Sequence, residues 1–408
     1  MRKKYQVILF QPYIRPFVLN LGRHLRAFTF NHIAPARIGR GSSVGLPSYE
    51  KEFQRHKMTP INIVRRLLGI PNVRFRFDQE GDLFFTYGSL VIGRKPYVTY
   101  IETGLALYGY DSSIAKNPLA QLIVAFLATR RNCGGLIFLS QAAYKSFYAS
   151  VNYPAFWRRR LEAKSHIIYP VPIAPPDRPQ PRRLGSTLKL LFPGTFYIKG
   201  GLEVAHAYAQ LRQRHGNKVS LTVITAVHMI RPEDRQYLES LPGLTLRDAK
   251  LNEQEMIETY RNHDVFLLPT FREGFGLVLI EALAYGLPVV ITDQYATAEM
   301  AKDNWNGFIY PNHPLKDYDP VTFKMHGRYS QPKDFYAALF AAQKDGALKK
   351  VEDFLVQSVE RFLKEPTLLE KFSHNSLTLY RQKFNPKHSS EQLEAVLMAA
   401  IKSRPEGA

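Results

Sequence analysis

The chain has 408 residues, of which 45% are hydrophobic and 22% are charged, and its formal net charge is +20. This composition excludes a disordered or low-complexity chain, and the length suits two or three domains. The single cysteine, Cys133, excludes an internal disulfide bond and favours a reducing compartment. The longest apolar runs are much shorter than a membrane span, so we predict a cytoplasmic protein.

The positive charge is concentrated in the first half. Residues 1–200 contain 30 Lys and Arg against 9 Asp and Glu, whereas residues 201–408 contain 25 against 26. A field of this sign attracts anionic lipid, acidic polymer or nucleic acid. The alternative is that the basic side chains only keep this half soluble. Because no nucleic-acid motif accompanies the charge, nucleic acid is not expected, and an anionic surface or acceptor is favoured.

The first half alternates short apolar strands with helical stretches. The predicted strands are Tyr5–Phe10, Val73–Phe77, Leu83–Thr86, Tyr97–Ile101, Leu136–Ser140 and Ile167–Tyr169. The predicted helices are Phe17–Phe28, Leu119–Arg131 and Gln141–Ser150, and residues 36–60 form a loop. Ser140 stands directly before the third helix and is predicted to be its N-cap.

A proline-rich stretch separates the two halves. Pro170–Arg183 contains six prolines, which is typical of an extended linker with a solvated backbone. We therefore predict a first domain over residues 1–170 and a linker over residues 171–186.

The second half restarts the same alternation. The predicted strands are Leu188–Phe192, Val219–Thr225, one starting at Thr245, Val265–Leu268 and Val289–Thr292. The predicted helices are Gly201–Arg214, Glu253–Asn262 and Leu277–Tyr285, with a helical region over 350–402 that breaks at Pro366 and Pro386. Continuous β-branched runs between helices indicate a parallel sheet covered on both faces. The sequence predicts an α/β fold, a second domain over residues 187–385, and a last helix over 386–408 that packs back on the first domain.

The most informative segment follows the predicted strand Val265–Leu268. A turn containing Gly274 and Gly276 leads into a helix, whose free N–H groups and partial positive charge suit a phosphate. Glycine also lets the backbone approach a ligand closely.

Two carboxylates flank this turn. Glu273 precedes the helix and Glu281 lies eight residues later, about two helical turns away. Both can face one cleft and accept hydrogen bonds from sugar and ribose hydroxyls. The alternative is that Glu273 caps the helix and Glu281 lies on a solvated face. The apolar neighbours over residues 277–283 disfavour a solvated Glu281.

The pattern E-x7-E followed by Ala-Leu-Ala-x-Gly-x-Pro-Val-Val resembles the retaining nucleotide-sugar glycosyltransferases of family four, glycosyl transferases group 1. The preceding strand, from Asp264, and the later stretch Asn306–Pro311 are also similar to that family, so the resemblance covers roughly residues 187–311. It implies the GT-B architecture, in which two Rossmann-like domains face each other across a cleft. The C-terminal domain then binds the donor and the N-terminal domain binds the acceptor.

The resemblance also assigns roles to particular residues. It implies that Glu273 contacts the transferred sugar, that the backbone at Phe275 and Gly276 holds donor hydroxyls or phosphate, and that Glu281 binds the ribose. The backbone near Lys250 and Leu251 would recognise the base. The full predicted donor site comprises Gly194, Thr195, Lys199, Lys250, Leu251, Arg272, Glu273, Gly274, Phe275, Gly276, Leu277 and Glu281.

A second motif, Phe192–Gly201, places a glycine-bearing loop and Lys199 between a strand and a helix. By resemblance Lys199 is the phosphate lysine, and its charge would stabilise the departing diphosphate. The chain departs from the family at Thr195, where an arginine is usual. Arg272 is a candidate substitute, and the alternative is that Arg272 only contributes surface charge.

The first half departs further from the family pattern. Gln11–Pro16 stands where many members have a glycine-rich loop, and Glu102 stands where many have a histidine. Glu102 follows a buried strand and is predicted to accept a hydrogen bond from donor or acceptor; the alternative is a loop or cap carboxylate. The predicted catalytic residues are thus Glu273, Lys199 and Glu102. Cys133 is a lone cysteine without a metal-binding companion, so we predict no metal site and no cofactor besides the nucleotide-sugar substrate.

Together these features predict a retaining, metal-independent glycosyltransferase that moves a sugar from a nucleotide-diphosphate sugar to a hydroxyl of a glycan or lipid-linked acceptor. The basic first half favours an anionic acceptor, a role in cell-surface polysaccharide or glycolipid synthesis, and a peripheral position at the inner face of the cell membrane. The cluster Phe156–Arg160 suits such an interface, although a helix surface with Trp157 packed inward is the alternative. The alternative function is a weakly active or inactive relative that binds nucleotide or glycan as a partner subunit, which the departures at Thr195 and Glu102 motivate.

Overall fold

Two parallel sheets, one in each half of the chain, organise the fold. The structure is a computed structural model, and it describes residues 4–10, 13–14, 23–32, 37–38, 68–76, 80–172, 175, 177–329 and 332–403. Each sheet has six strands in the described part of the chain, and every pairing within them is parallel. The α/β class and the parallel sheets predicted from the β-branched runs are therefore confirmed.

The first half contains the strands Tyr5–Phe10 (β1), Tyr13–Ile14 (β2), Phe28–His32 (β3), Arg37–Ile38 (β4), Val73–Phe75 (β5), Leu83–Tyr87 (β6), Leu90–Ile92 (β7), Tyr97–Ile101 (β8), Cys133–Phe138 (β9) and Ser165–Ile167 (β10). Its main sheet has the order β10-β9-β8-β6-β1-β3, and β2–β4 and β5–β7 form two small pairs. The helices are Ser112–Lys116 (α1), Pro118–Thr129 (α2), Gln141–Ser150 (α3) and Ala155–Glu162 (α4), with a 3₁₀ turn at Ala106–Tyr108.

The second half contains the strands Leu188–Pro193 (β11), Val219–Thr225 (β12), Leu244–Asp248 (β13), Val265–Leu268 (β14), Val289–Thr292 (β15) and Gly307–Tyr310 (β16), in the order β13-β12-β11-β14-β15-β16. The helices that follow or cover them are Gly201–His215 (α5), Pro232–Ser240 (α6), Glu253–Arg261 (α7), Leu277–Ala284 (α8), Pro332–Lys344 (α9), Lys349–Lys364 (α10), Pro366–Lys383 (α11) and Pro386–Lys402 (α12). Pro366 and Pro386 each occupy the first position of a helix, where the missing N–H costs no hydrogen bond.

Some predicted boundaries in the first half are wrong. Phe28 begins β3 instead of ending a helix, because it pairs with Tyr5 of β1; residues 17–22 of that predicted helix lie outside the described residues. Strand β9 begins at the buried Cys133, three residues earlier than predicted, because it pairs in parallel with β8 from that residue. Strand β10 ends at Ile167, because its parallel pairing with β9 ends there. The loop predicted over residues 36–60 lies outside the described residues except for 37–38.

No described residue between β10 and β11 is helical or extended in a strand, and Arg182 anchors this connection. Its guanidinium donates to the carbonyl oxygens of Tyr260 at 2.9 Å and Tyr285 at 3.0 Å. The stretch is thus fixed against the C-terminal half at its end.

Helix α12 packs on the sheet of the first half, against β9, β8 and β6. Two adjacent glycines in β9 make this possible. A Cβ on Gly134 would lie 2.2 Å from the Cβ of Ala400, and one on Gly135 would lie 2.9 Å from a methyl of Val396. The last helix therefore ties the end of the chain to the first half.

Among the helices in the described part of the chain, none has both the length and the hydropathy of a membrane span.

Candidate functional site

The loop after β11 turns back against the loop after β14. Gly194 has a φ of 155°, and a Cβ there would lie 2.9 Å from Cγ of Lys199. Gly200 has a φ of 79°, and a Cβ there would lie 2.5 Å from the carbonyl oxygen of Pro269. A side chain at either position would separate the two loops, so these glycines hold Lys199 beside the second loop.

Lys199 and Glu273 form an ion pair between these loops. The Lys199 ammonium donates to Oε2 of Glu273 at 2.6 Å and to the carbonyl oxygen of Arg272 at 2.8 Å. Their side chains are 18% and 14% exposed, so both charges are largely shielded yet reachable from solvent. A pair in this position offers a cation for phosphate and an acceptor for a sugar hydroxyl.

Glu273 lies before helix α8 and does not cap it. Its second oxygen accepts from the N–H of Gly274 at 3.0 Å and of Phe275 at 3.4 Å, both within the turn. The N-cap position of α8 is Gly276, which has a φ of 91° and no capping side chain. The start of α8 therefore has no capping carboxylate, and its free N–H groups favour binding of an anion.

Glu281 lies inside α8 and is buried, with 6% of its surface exposed. Its Oε2 accepts a hydrogen bond from the hydroxyl of Tyr260 on α7 at 2.8 Å. Burial and the neighbouring carboxylate raise the pKa of Tyr260 well above its usual value, so the hydroxyl keeps the proton that it donates. The solvated interpretation of Glu281 is thereby excluded.

Glu102 reaches this site from the other half of the chain. It follows β8, and a Cβ on Gly274 would lie 3.4 Å from its carboxyl carbon. The hydroxyl of Tyr110 donates to Oε1 at 3.1 Å, and the hydroxyl of Tyr87 donates to Oε2. The crevice between the two sheets thus contains Glu102 on one wall and Glu273 with Lys199 on the other.

The remaining predicted donor-site residues lie at the ends of neighbouring strands or in the second loop. Lys250 follows β13, is exposed, and donates its backbone N–H to Asp248 at 3.1 Å. Leu251 is half-buried against the core. Arg272 is exposed, and its guanidinium carbon lies 5.6 Å from the ring centroid of Phe335. Burial against its surroundings lowers the pKa of the Arg272 guanidinium, and its place in the donor site stays a prediction.

Sequence reasoning missed the tyrosines that donate hydrogen bonds to Glu281 and Glu102. Tyr260 lies on the buried face of α7 beside Ile257, where a hydroxyl needs a partner, and this was the available signal. Tyr87 and Tyr110 come from separate segments, and no local pattern links them to Glu102.

Further polar contacts join the halves, among them those of Glu299 and Arg23. The carboxylate of Glu299 accepts from the N–H groups of Gln141 at 3.1 Å and Ala142 at 2.8 Å, at the start of α3. Ser140 accepts from the N–H of Ala143 at 2.9 Å, which confirms it as the N-cap. Arg23 donates two hydrogen bonds to Glu253, of 2.7 and 2.8 Å.

The part of the chain that the structure describes contains no group of three or more His, Cys, Asp or Glu side chains placed to hold a metal ion.

Residues 187–318 match the family model described as glycosyl transferases group 1. This stretch contains the loops after β11 and β14, with Lys199, Glu273 and Glu281. The family resemblance predicted from the sequence is therefore confirmed for this part of the chain.

Curated relatives share the same region. The chain is 30% identical over 156 residues to a D-inositol 3-phosphate glycosyltransferase of Arthrobacter, covering 36% of this chain and 37% of the relative. It is 25% identical over 190 residues to the capsular polysaccharide biosynthesis glycosyltransferase CapM of Staphylococcus aureus, covering 46% and 40%. The chain therefore spans less than half the length of these relatives.

Solved structures resemble nearly the whole chain. HepE of Anabaena, crystallised with UDP and glucose, superposes with a TM-score of 0.57 at 12% identity and covers 97% of this chain and 100% of its own. WaaG, a glycosyltransferase involved in lipopolysaccharide biosynthesis, gives a TM-score of 0.54 at 12% identity, covering 96% and 99%. At this level of identity the likeness establishes the fold, and it confirms the predicted GT-B architecture.

Proposed function

We propose that this chain, whose C-terminal half matches the group 1 glycosyl transferases, is a retaining glycosyltransferase that uses a nucleotide-diphosphate sugar. One observation carries the proposal: the Lys199–Glu273 ion pair lies at the start of α8, opposite Glu102 of the other half. A cation and a helix N-terminus suit a diphosphate, and two carboxylates beside them suit sugar hydroxyls.

In the proposed reaction the C-terminal half binds the donor. Lys199 and the N–H groups at the start of α8 stabilise the negative charge that develops on the diphosphate as the glycosidic bond breaks. Glu281, oriented by Tyr260, accepts hydrogen bonds from the ribose hydroxyls. We propose that these groups serve the diphosphate without a metal ion or further cofactor.

Glu102 and Glu273 orient the transferred sugar in this proposal. The acceptor hydroxyl attacks the anomeric carbon on the face from which the diphosphate leaves, so that the configuration is retained. A diphosphate oxygen takes the hydroxyl proton, because the departing group is the nearest base on that face. Closure of the crevice excludes water and thereby limits hydrolysis of the donor.

The class of acceptor is inferred from the positive charge of the first half. The first half carries the whole excess of positive charge, so we propose an anionic or lipid-linked hydroxyl acceptor in cell-surface polysaccharide or glycolipid synthesis, with the chain peripheral at the inner face of the membrane. The relative named for capsular polysaccharide biosynthesis supports this class of product.

The test is binding of UDP-, GDP- and ADP-sugars, measured by isothermal titration and thermal shift. One nucleotide series is expected to bind, and Glu281→Gln is expected to weaken it about tenfold or more, since a hydrogen bond to a charged group contributes about 1.5–3 kcal/mol. Tyr260→Phe is the matched control, because it removes the hydroxyl that orients Glu281 and leaves the carboxylate. Tyr260→Phe should lose less affinity for the donor than Glu281→Gln.

Absence of binding to every donor would overturn the transferase proposal. It would favour the second candidate, a partner subunit without transferase activity, which Thr195 in place of the usual arginine motivates.

A further inference from the structure

Helix α2 presents an apolar face to solvent. Its sequence, from Pro118 to Thr129, contains no charged residue. Leu119, Leu122 and Phe126 are 55%, 51% and 54% exposed. Their spacing of three and four residues places them on one side of the helix, opposite the buried side chains that pack on the sheet. Single exposed apolar residues are common in proteins, but a row of three on one helix face marks an interaction surface.

Helix α4 lies against α2 and extends this surface. Phe156 is 55% exposed, and the three arginines that follow its neighbour Trp157 are exposed too. The guanidinium carbon of Arg160 lies 4.0 Å from the ring centroid of Phe156, and that of Arg130, just beyond α2, lies 5.9 Å from the ring of Phe126. Trp157 packs inward against the core, as the alternative in the sequence analysis expects. We call Leu119, Leu122, Phe126 and Phe156 the apolar ridge.

The chain segment that contains the apolar ridge carries mainly positive charge. Residues 104–169 contain eight Lys and Arg against two Asp and Glu. Both acidic side chains are engaged locally: Glu162 pairs with Arg158 at 2.9 Å, and Asp111 accepts from the N–H of Ser113 at 2.8 Å at the start of α1. This segment therefore attracts an anionic surface. An acidic partner with an ordinary polar surface would not bury the apolar side chains of the ridge.

The apolar ridge is connected to the crevice through a short stretch of chain. Tyr110, whose hydroxyl donates to Glu102, immediately precedes Asp111 and α1, and α1 packs on α2. The apolar ridge thus lies on the same half of the molecule as Glu102. The proposed function places the acceptor on this half.

We propose that the apolar ridge and the flanking Arg158, Arg159 and Arg160 dock the first half on a bilayer containing anionic lipid. The leucine and phenylalanine side chains enter the boundary between headgroups and acyl chains, and the arginines bind lipid phosphates. This docking rests on the membrane position in the proposed function and names its surface, but it does not depend on sugar transfer.

The test is flotation of the full chain with vesicles of phosphatidylcholine alone and of phosphatidylcholine mixed with phosphatidylglycerol. The chain is expected to float with the mixed vesicles only, and less at high salt because salt screens the attraction. Reversal of two charges in Arg159→Glu/Arg160→Glu should weaken the partition about tenfold or more, since each basic residue near an anionic surface contributes about 1 kcal/mol. Leu122→Ser/Phe126→Ser should weaken it as well.

Matched controls lie on the other half. Lys350→Glu/Lys371→Glu changes the net charge equally at exposed positions, and Val321→Ser changes a side chain that is 79% exposed. Both should float like the unmodified chain. Donor binding and thermal unfolding of each variant show whether it is folded.

Two results would overturn the proposal. One is failure of the unmodified chain to float with the mixed vesicles. The other is flotation of Arg159→Glu/Arg160→Glu equal to that of the Lys350 and Lys371 control. A chain that floats but binds no nucleotide sugar would keep the docking surface and overturn the transferase, so the two failures are distinguishable.

Discussion

The two halves share one architecture but use it differently. In the C-terminal half the loops after β11 and β14 fix Lys199 and Glu273 through backbone geometry at Gly194, Gly200 and Gly276. The first half also has a six-stranded parallel sheet, in another strand order, and among its described residues Glu102 reaches the crevice. This half carries the excess of positive charge and exposed apolar side chains. In the proposed function this difference fits a donor that is held by a defined backbone and an acceptor that is attracted by surface charge.

The largest expected effect concerns the cation of the donor half. Lys199→Met should lower the rate of sugar transfer, or of donor hydrolysis, about 100- to 1000-fold, the usual cost of removing a group that stabilises transition-state charge. It also leaves the shielded Glu273 carboxylate without its partner. Lys199→Arg preserves the charge and should lose less. A Lys199→Met rate within threefold of the unmodified chain would remove the donor half from the proposed chemistry.

The next effect concerns a buried carboxyl group in the C-terminal half. Glu203, in the first turn of α5, is 1% exposed, and burial raises its pKa to about 7. Because the folded-state pKa exceeds the unfolded value, folding favours the protonated form, and stability falls as pH rises from about 4.5 through about 7.

Glu203→Gln should therefore raise the stability at pH 8 by about 3 kcal/mol at most and change it little at pH 4.5. Urea unfolding at the two pH values measures this difference. An equal change at both values would contradict the buried titration. The neutral amide also keeps an oxygen that can accept the hydrogen bond from Gln343.

Glu102 tests whether the first half takes part in the chemistry. Glu102→Gln should lower kcat about tenfold, since a charge-assisted hydrogen bond of about 1.5–3 kcal/mol becomes a neutral one. The affinity for the free nucleotide should stay unchanged, because the proposed function places the nucleotide on the other half. Tyr110→Phe removes one donor to the carboxylate and should have a smaller effect. Loss of nucleotide affinity in Glu102→Gln would contradict the proposal that the nucleotide binds only to the C-terminal half.

The smallest expected effect concerns the contact between Arg23 and Glu253. Their double hydrogen bond joins the halves, and the arginine lowers the pKa of the Glu253 carboxyl. Both side chains are substantially exposed, at 58% and 41%, so the pair should contribute no more than about 0.2–1 kcal/mol. A double-mutant cycle with Arg23→Ala and Glu253→Ala, followed by urea unfolding, measures the coupling. A coupling several times larger would mean that the halves depend on this contact.

Sequence patterns predicted the donor half well because its strands are continuous β-branched runs; Val219–Thr225, Val265–Leu268 and Val289–Thr292 agree with the structure to the residue. The missed elements had weaker patterns. Helix α6 contains four charged residues, and β16 is a four-residue strand that begins at Gly307, where a Cβ would lie 2.1 Å from the carbonyl oxygen of Val289.

The site was predictable only in part, for a physical reason. Lys199, Glu273 and Glu281 stand in a fixed pattern around turns and a helix, and local sequence encodes those. The partners of the carboxylates, such as Tyr260 and Tyr87, come from distant segments that only the fold brings together. The exposure of Leu119, Leu122 and Phe126 likewise depends on which face of α2 the sheet covers.

The contact of Glu299 with helix α3 has a consequence for movement. This carboxylate satisfies two backbone N–H groups that belong to the opposite half, at Gln141 and Ala142. If the halves move apart, those amides exchange a protein acceptor for water, while the Ser140 cap of α3 stays in place. Deuterium uptake at these two amides would therefore report separation of the halves without any label attached to the protein.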